Sequence, residues 1–526
     1  MARKKKLRQY VLLPPHGLRS PAPEIPHSAG ALFLSLAPVE PTASRVELSD
    51  GRSIRVIDSI HVDGAKLVEM TPEMASDLRA RAPGLRIVPL VYYYPTLAPK
   101  MKVVSRPEPV RTRKGKGEKP TTDPVKRPMV KEATVAAFLT PAITVTIASQ
   151  ADGTPVFGAL VVAFTDFDRR VGDQATTNRQ GVVNLKLGRA SANLERLYIY
   201  PKDSYWGSLQ TALSIKSGQV IAVDPIDFDY VDGLRYFYGT AADNVGAGVT
   251  VGVLDSGIDL YHADLKVQGG ENTVTGEQPG DFGDNGGHHG THVAGIIAAR
   301  GVREKGMRGL APGVTLRSYR VFGKGSDQAT NFAIAKAIDR AVADGCDLIN
   351  MSLGGGPQDE ATSSAIADAR SKGTLVIVAA GNDSRAPVNY PAADPRAIAV
   401  SAMGRVGTFP AGAVQTGDIA APYGTDKKNF IADFSNIGPE IALTSAGVGI
   451  VSTVPGGYAV MDGTSMACPA VTGAAARLLS MPSGAAILAM PRVQARSDAM
   501  ARILLQCAQK LGFGAEYEGQ GLPQPS

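Results

Sequence analysis

At 526 residues the chain is too long for one ordinary domain and points to about two to four. An apolar fraction of 44% and a mean hydropathy of −0.03 exclude a disordered or fibrous chain and leave ample material for a core. No run of about 18 apolar residues predicts a membrane span. The net charge of +6 hides an asymmetry: residues 1–20 carry six basic groups and no acid, and residues 100–131 carry eleven basic and three acidic groups. Together these stretches hold +14 against a whole-chain +6, so the remainder is net −8. The basic runs contain no interleaved aromatic residues at 111–131 to stack bases and match no recognition motif, so they read as solvated segments and nucleic acid is not an expected partner.

Residues 1–27 read as a basic disordered tail. Tyr10 to Leu13 is too short for the roughly 7–15-residue core of a signal peptide, and Pro14 and Pro15 end it. Without a recognisable signal peptide, and with Cys346, Cys468 and Cys507 far apart and at no metal spacing, the expected setting is the reduced cytoplasm; non-classical secretion stays open.

Residues 28–97 read as a small α+β unit. Ile54, Val56 and Ile57 mark one strand and Ala65 to Met70 another. Thr71 offers an N-cap, with Pro72 at the first helical position and Glu73 in the first turn. The helix carries Met74, Leu78 and Ala82, Pro83-Gly84 stops it, and an apolar strand-like run follows from Leu85 to Tyr94. Residues 98–134, with Pro107, Pro109, Pro120, Pro124 and Pro128 among basic residues, read as a linker. Residues 135–222 then read as a β-sandwich accessory domain. Ile143, Val145 and Ile147 alternate with Thr144 and Thr146, Asp152-Gly153 makes a turn, Val156 to Phe164 is a second strand, and Thr176 to Gly181 turns into the alternating Val183 to Leu187.

From 223 to 526 strands alternate with helices, the pattern of an α/β fold with a mostly parallel sheet flanked by helices. Val249 to Leu254, Asp347 to Leu353 and Leu375 to Ala380 are the predicted strands; Phe332 to Asp344 and Ala361 to Lys372 are the predicted helices. Met500, Ile503, Leu504, Cys507, Ala508 and Leu511 recur at helical spacing, which predicts a C-terminal helix with Cys507 in the core.

Three segments in this region carry chemistry: V-L-D-S-G-I-D around Asp255, H-G-T-H-V-A-G from His289, and G-T-S-M-A-C-P around Ser465. A serine hydroxyl needs a neighbouring imidazole to take its proton, and the imidazole needs a carboxylate to hold its tautomer. Asp255 ends an apolar strand, at the edge where open α/β sheets place their sites. Ser465 opens a helix rich in small residues, whose free N–H groups face a developing anion, with Pro469 expected in its first turn. His288, His289 and His292 compete for the base, and H-G-T-H lacks the spacing of a zinc motif.

The order Asp, His, Ser, with these motifs, resembles the subtilisin-like serine proteases (subtilases). The resemblance covers residues 223–485 and implies the family's fold and a serine endopeptidase acting on protein or peptide substrates. It selects His289 as the base, with His292 structural and His288 in a loop. It also implies that Asn382, in V-A-A-G-N, donates to the oxyanion beside the Ser465 N–H. Ala380 and Gly381 belong to that segment. Ser352, Leu353, Gly354 and Gly355 resemble the strand that pairs with an extended substrate, Gly323 and Gly325, with Ser326, its facing strand, and Asn389 the base of the primary specificity pocket. The 28–97 pattern is similar to the family's inhibitory prodomain, which implies a zymogen, although about 125 residues separate it from the catalytic region. The loop Arg300 to Gly309, where many subtilases bind calcium, is basic and lacks Asn and Asp, so the usual calcium loop is not matched; no cofactor is expected, and calcium binding stays open. A regulatory partner docking on the N-terminal or β-sandwich domain is a further expectation. The rival expectation is a silenced protease fold acting as a binding or scaffold protein.

Overall fold

The computed structural model describes residues 6–19, 44–47, 53–82, 84–107, 142–188, 191–302 and 305–525. They fall into two units: one takes in residues up to Pro99, Ile226–Ala411 and Gly417–Ser526, the other Lys100–Pro225 and Gly412–Thr416. Arg3, Lys4 and Lys5 of the expected tail, and 108–134 of the expected linker, lie outside the described residues.

In the first unit a five-stranded antiparallel sheet is built from β1 (Arg8–Leu13), β2 (Ser44–Glu47), β3 (Ser53–Ser59), β4 (Lys66–Met70) and β5 (Arg86–Pro89), in the order β2-β3-β4-β1-β5. The disordered tail expected at 1–27 is therefore corrected: Arg8–Leu13 is an inner strand. Tyr10 and Leu12 face one core with Ile54, Val68 and Leu78, while Val11 and Leu13 face another. Side chains buried on both faces produce an unbroken apolar run instead of an alternating one. Helix α1 (Pro72–Arg81) covers the first core and starts where expected, with Thr71 Oγ1 accepting the Met74 N–H at 3.3 Å. The expected run 85–94 breaks into β5 and β6 (Tyr92–Pro95).

The second unit is a two-sheet sandwich. One sheet has the order β10-β7-β13 and the other β12-β11-β8-β9, from β7 (Ile143–Ser149), β8 (Leu160–Asp166), β9 (Val171–Thr176), β10 (Val182–Leu185), β11 (Ser191–Tyr200), β12 (Ser208–Lys216) and β13 (Gln219–Val223). Ile143, Val145, Val161, Leu197 and Ile221 fill the space between them. The strand expected to begin at Val156 begins at Leu160. Residues expected to open the linker pack on this sandwich instead: Met101 and Val103 rest against Phe164 and Tyr198, and the Val103 N–H reaches Gln174 at 2.9 Å.

The rest of the first unit is an α/β layer structure. Its eight-stranded sheet runs β15-β16-β14-β18-β20-β21-β22, with β23 also on β21, and only the β21–β22 pair is antiparallel. The strands are β14 (Thr250–Asp255), β15 (Val267–Asn272), β16 (Thr315–Arg320), β18 (Leu348–Met351), β20 (Leu375–Ala379), β21 (Ile398–Arg405), β22 (Asn429–Ile431) and β23 (Ile441–Ala446), while β17 (Ala329–Thr330) and β19 (Leu353–Gly354) are short outliers. After α2 (Gly233–Tyr238), the helices that matter are α3 (His289–Ala298), α4 (Asn331–Ala343), α5 (Glu360–Ser371) and α6 (Thr464–Leu479). Near the C-terminus a helix spans Gln494–Gln506 and buries Met500 and Leu504. Cys507, expected in the core, is its half-buried cap, because the helix ends one residue earlier. No single helix among the described residues is long and apolar enough to cross a membrane.

The second face of the N-terminal sheet joins this body. Val11, Leu13, Leu67 and Val88 share one apolar cluster with Phe332 and Ile338 of α4 and Ala361 and Ile366 of α5. A polar fringe surrounds it: Lys336 meets Asp58 at 3.0 Å, Arg86 meets Ser364 at 2.8 Å, and His61 meets Asp339 at 2.6 Å.

Candidate active site

Asp255 is the last residue of β14, which lies between β16 and β18 with all three parallel. Its carboxylate therefore emerges at the carboxyl edge of the sheet, fully buried. Oδ1 accepts the Ser256 N–H at 2.7 Å and meets His289 Nδ1 at 2.8 Å. His289 begins α3 and is 2% exposed. The helix can approach the strand this closely because residue 290 is glycine: a Cβ there would lie 2.3 Å from the Gly257 carbonyl oxygen. His288 precedes the helix with a left-handed backbone. His292 is buried, and its Nε2 lies 3.2 Å from the Ile450 carbonyl and 3.1 Å from that of Ala459. It thus ties α3 to the hairpin of β24 (Ile450–Val454) and β25 (Gly457–Met461).

Ser465 is the second residue of α6, behind Gly463 as N-cap. Pro469 falls in the second turn, not the first as expected, and the displacement has a consequence. A residue at 469 would normally give its N–H to the carbonyl of 465, and proline cannot. That carbonyl instead accepts the Ser352 hydroxyl at 2.9 Å. Cys468, fully buried, points its thiol at Asn350 Oδ1 at 3.3 Å; burial pushes that thiol well above its ordinary value, so it stays protonated.

Asn382 lies just after β20, with its Oδ1 accepting the Thr464 N–H at 2.9 Å. This fixes the amide so that Nδ2 is buried with no hydrogen-bond partner among the described residues. His289 Nε2 is in the same position. A buried donor beside a helix N-terminus suits a developing oxyanion, and an imidazole held by a buried carboxylate suits proton transfer.

Strand β6 occupies the cleft. It lies between β17 and β19, antiparallel to both, with Tyr93 opposite Ala329 and Tyr94 opposite Gly354. Thr96 follows it: its N–H donates to the Ser352 carbonyl at 3.3 Å and its carbonyl accepts the Ser465 N–H at 3.2 Å. Its Oγ1 lies 2.7 Å from Ser465 Oγ, which in turn donates to the Ser352 carbonyl at 3.2 Å. One residue beyond Leu97, the Ala98 N–H reaches the Asp462 carbonyl at 2.9 Å.

The structure thus joins Asp255 to His289, holds Asn382 at the helix start that carries Ser465, packs α3 against α6, and sets Leu353 and Gly354 along β6 after Ser352, with Gly355 beside the Tyr94 ring. Ala380 and Gly381 support the Asn382 loop: the Ala380 carbonyl accepts the Asn389 N–H at 2.9 Å, and the Gly381 N–H reaches Thr464 Oγ1 at 3.1 Å. Asn389 lies beside Gly354 with Thr96 and donates to Asp383 at 2.8 Å. It also lines an open cavity of about 520 Å³ with Asp383, Gly356 and Tyr390. One expectation fails. Gly323, Gly325 and Ser326 do not form the facing strand; Ser326 N–H bonds back to the Gly323 carbonyl at 3.0 Å, closing a turn, and Ala329–Thr330 pairs with β6 instead.

Thr96 escaped the sequence reading because nothing about it is distinctive until the chain has folded back across 369 residues to Ser465. Beside the loop 300–309, the Asp264 carboxylate accepts the Met307 N–H at 3.1 Å and the Tyr458 hydroxyl at 2.6 Å; among the described residues no group of three or more His, Cys, Asp and Glu fits a metal ion.

The model of the family described as "Subtilase family" matches residues 246–521. Subtilisin DY of Bacillus licheniformis is 38% identical over 240 residues, which cover 45% of this chain and 78% of that protein. Subtilisin E of Bacillus subtilis (strain 168) is 40% identical over 241 residues, covering 45% of this chain and 56% of the relative. For alkaline elastase YaB of Bacillus sp. (strain YaB) the identity is 39% over 232 residues, with 44% and 54% covered.

Proposed function

The chain belongs to the subtilase family, and we propose that its serine endopeptidase centre is restrained by its own N-terminal unit, which lies in the cleft as a substrate would. In catalysis Ser465 Oγ attacks the carbonyl carbon of the scissile bond while His289 Nε2 takes its proton. Asp255 holds the tautomer and stabilises the imidazolium. The oxyanion forms between the Ser465 N–H and Asn382 Nδ2. Collapse expels the amine, protonated by His289, and water then hydrolyses the acyl ester by the same groups.

The observation that carries the restraint is Thr96. Its carbonyl accepts the Ser465 N–H at 3.2 Å, so the Thr96–Leu97 bond lies where a substrate bond must lie. Its hydroxyl meanwhile engages the nucleophile at 2.7 Å, while Ser465 Oγ donates to the Ser352 carbonyl and His289 Nε2 has no partner among the described residues. Asn389 lies beside Gly354 with Thr96 and adds a polar amide to the wall of the cavity there. A reducing compartment is the proposed setting, since Cys346, Cys468 and Cys507 are all free thiols.

Fluorophosphonate labelling of the full chain tests this. Labelling is expected to be slow in the parent, lost in Ser465→Ala, and faster by about tenfold or more in Tyr93→Asp, where two carboxylates would share one buried site and unseat β6. Equal rates in parent and Tyr93→Asp would overturn the restraint. No labelling of either would favour the silenced scaffold.

A further inference from the structure

Tyr93, three residues before Thr96, is fully buried. Its hydroxyl donates to Asp359 Oδ2, with the Pro357 carbonyl 3.0 Å away. Asp359 is the N-cap of α5, and its two oxygens are divided between tasks. Oδ1 accepts the Ala361 N–H at 2.9 Å, the Thr362 N–H at 3.0 Å and the Asn331 side-chain amide at 3.2 Å. Oδ2 is left for Tyr93. The helix start therefore fixes the carboxylate with one oxygen aimed into the aromatic site before any ligand arrives. The walls fit a ring: Tyr390 lies with its centroid 6.3 Å from that of Tyr93, and a Cβ at Gly356 would come within 2.5 Å of the Tyr93 ring. Burial and the neighbouring carboxylate both hold the Tyr93 phenol protonated, as a donor must be.

We infer that Asp359 makes this protease select substrates with a tyrosine three residues before the residue whose carbonyl is attacked. The inference rests on the reading that β6 lies as substrate lies. When Tyr93 is displaced, Asp359 Oδ2 loses its side-chain partner; an incoming phenol restores that hydrogen bond, whereas a phenylalanine ring covers the oxygen and leaves it unpaired. Ring burial is nearly equal for the two side chains, so the discrimination comes from the unpaired carboxylate oxygen.

The test uses the full chain carrying Tyr93→Phe, which keeps the ring, removes the hydroxyl and weakens the tether's hold. Two fluorogenic octapeptides copy residues 91–98, one with tyrosine and one with phenylalanine at the position of Tyr93. The tyrosine peptide is expected to show kcat/KM higher by about tenfold or more, the scale for leaving a buried polar partner unmade. In Asp359→Ser, which retains a capping hydroxyl and loses the carboxylate, the ratio should fall to near one. Equal kcat/KM for the two peptides, or a ratio unchanged in Asp359→Ser, would overturn the inference while leaving the endopeptidase standing. If fluorophosphonate fails to label the enzyme and neither peptide is cut, both readings fall together.

Discussion

The two halves of the catalytic site are in different states. On the base side, Asp255 and His289 are joined at 2.8 Å and braced by the Ser256 N–H and the close approach at Gly290. On the nucleophile side, Ser465 Oγ is engaged by Thr96 and Ser352, while His289 Nε2 and Asn382 Nδ2 have no partner among the described residues. The first half is set by elements adjacent in the sheet and is complete without ligand. The second is completed only by what lies in the cleft, and here the chain itself lies there. The restraint proposed for the N-terminal unit would thus act on the nucleophile, through Thr96, while Asp255 and His289 are already joined.

Substitutions on the two sides should break this contrast in order of size. Ser465→Ala should abolish turnover of an accessible peptide, by about 10⁶-fold, a scale taken from subtilisin itself; steady-state hydrolysis checks it, and residual activity above a thousandth would place the nucleophile elsewhere. Asn382→Ala should lower kcat by about 10²–10³, again a range known for subtilisin, with KM little changed. A rise in KM alone would make Asn382 a binding group. Thr96→Val keeps the shape and removes the hydroxyl that holds Ser465. Fluorophosphonate labelling of the full chain should then speed up by roughly three- to tenfold, the worth of one neutral hydrogen bond. An unchanged rate would mean that the Thr96 hydroxyl does not restrain the nucleophile.

Both halves were legible in part. Asp255 at the end of an apolar strand and Ser465 at the start of a small-residue helix could be read from local pattern. The choice of His289 over His288 and His292, and the role of Asn382, came from the resemblance to the subtilases. What the sequence concealed depends on contacts between distant segments: Thr96 over the nucleophile, Asp359 beneath Tyr93, and Ala329–Thr330 in place of the expected Gly323–Ser326 as the facing strand. Arg8–Leu13 was hidden differently. A strand buried on both faces has no alternation, and its four apolar residues beside basic residues and prolines read as part of a basic disordered tail.

The base half has one more weakness, and it lies in acid. Burial pushes the His292 imidazole down from its ordinary 6.5 to about 3, with Nε2 held against the Ile450 and Ala459 carbonyls and Nδ1 without a partner among the described residues. Between those values the unfolded chain takes up a proton that the folded chain refuses, so stability rises with pH there. Its contribution is fully present above about pH 6.5 and is lost as pH falls toward about 3, at up to about 1.4 kcal/mol per pH unit for one proton. His292→Gln keeps an amide donor for the same carbonyls and cannot titrate. Urea unfolding from pH 4 to 7 should therefore show a shallower acid slope in His292→Gln, by close to one proton. Parallel slopes would assign the acid sensitivity of α3 to other groups and leave His292 as packing alone.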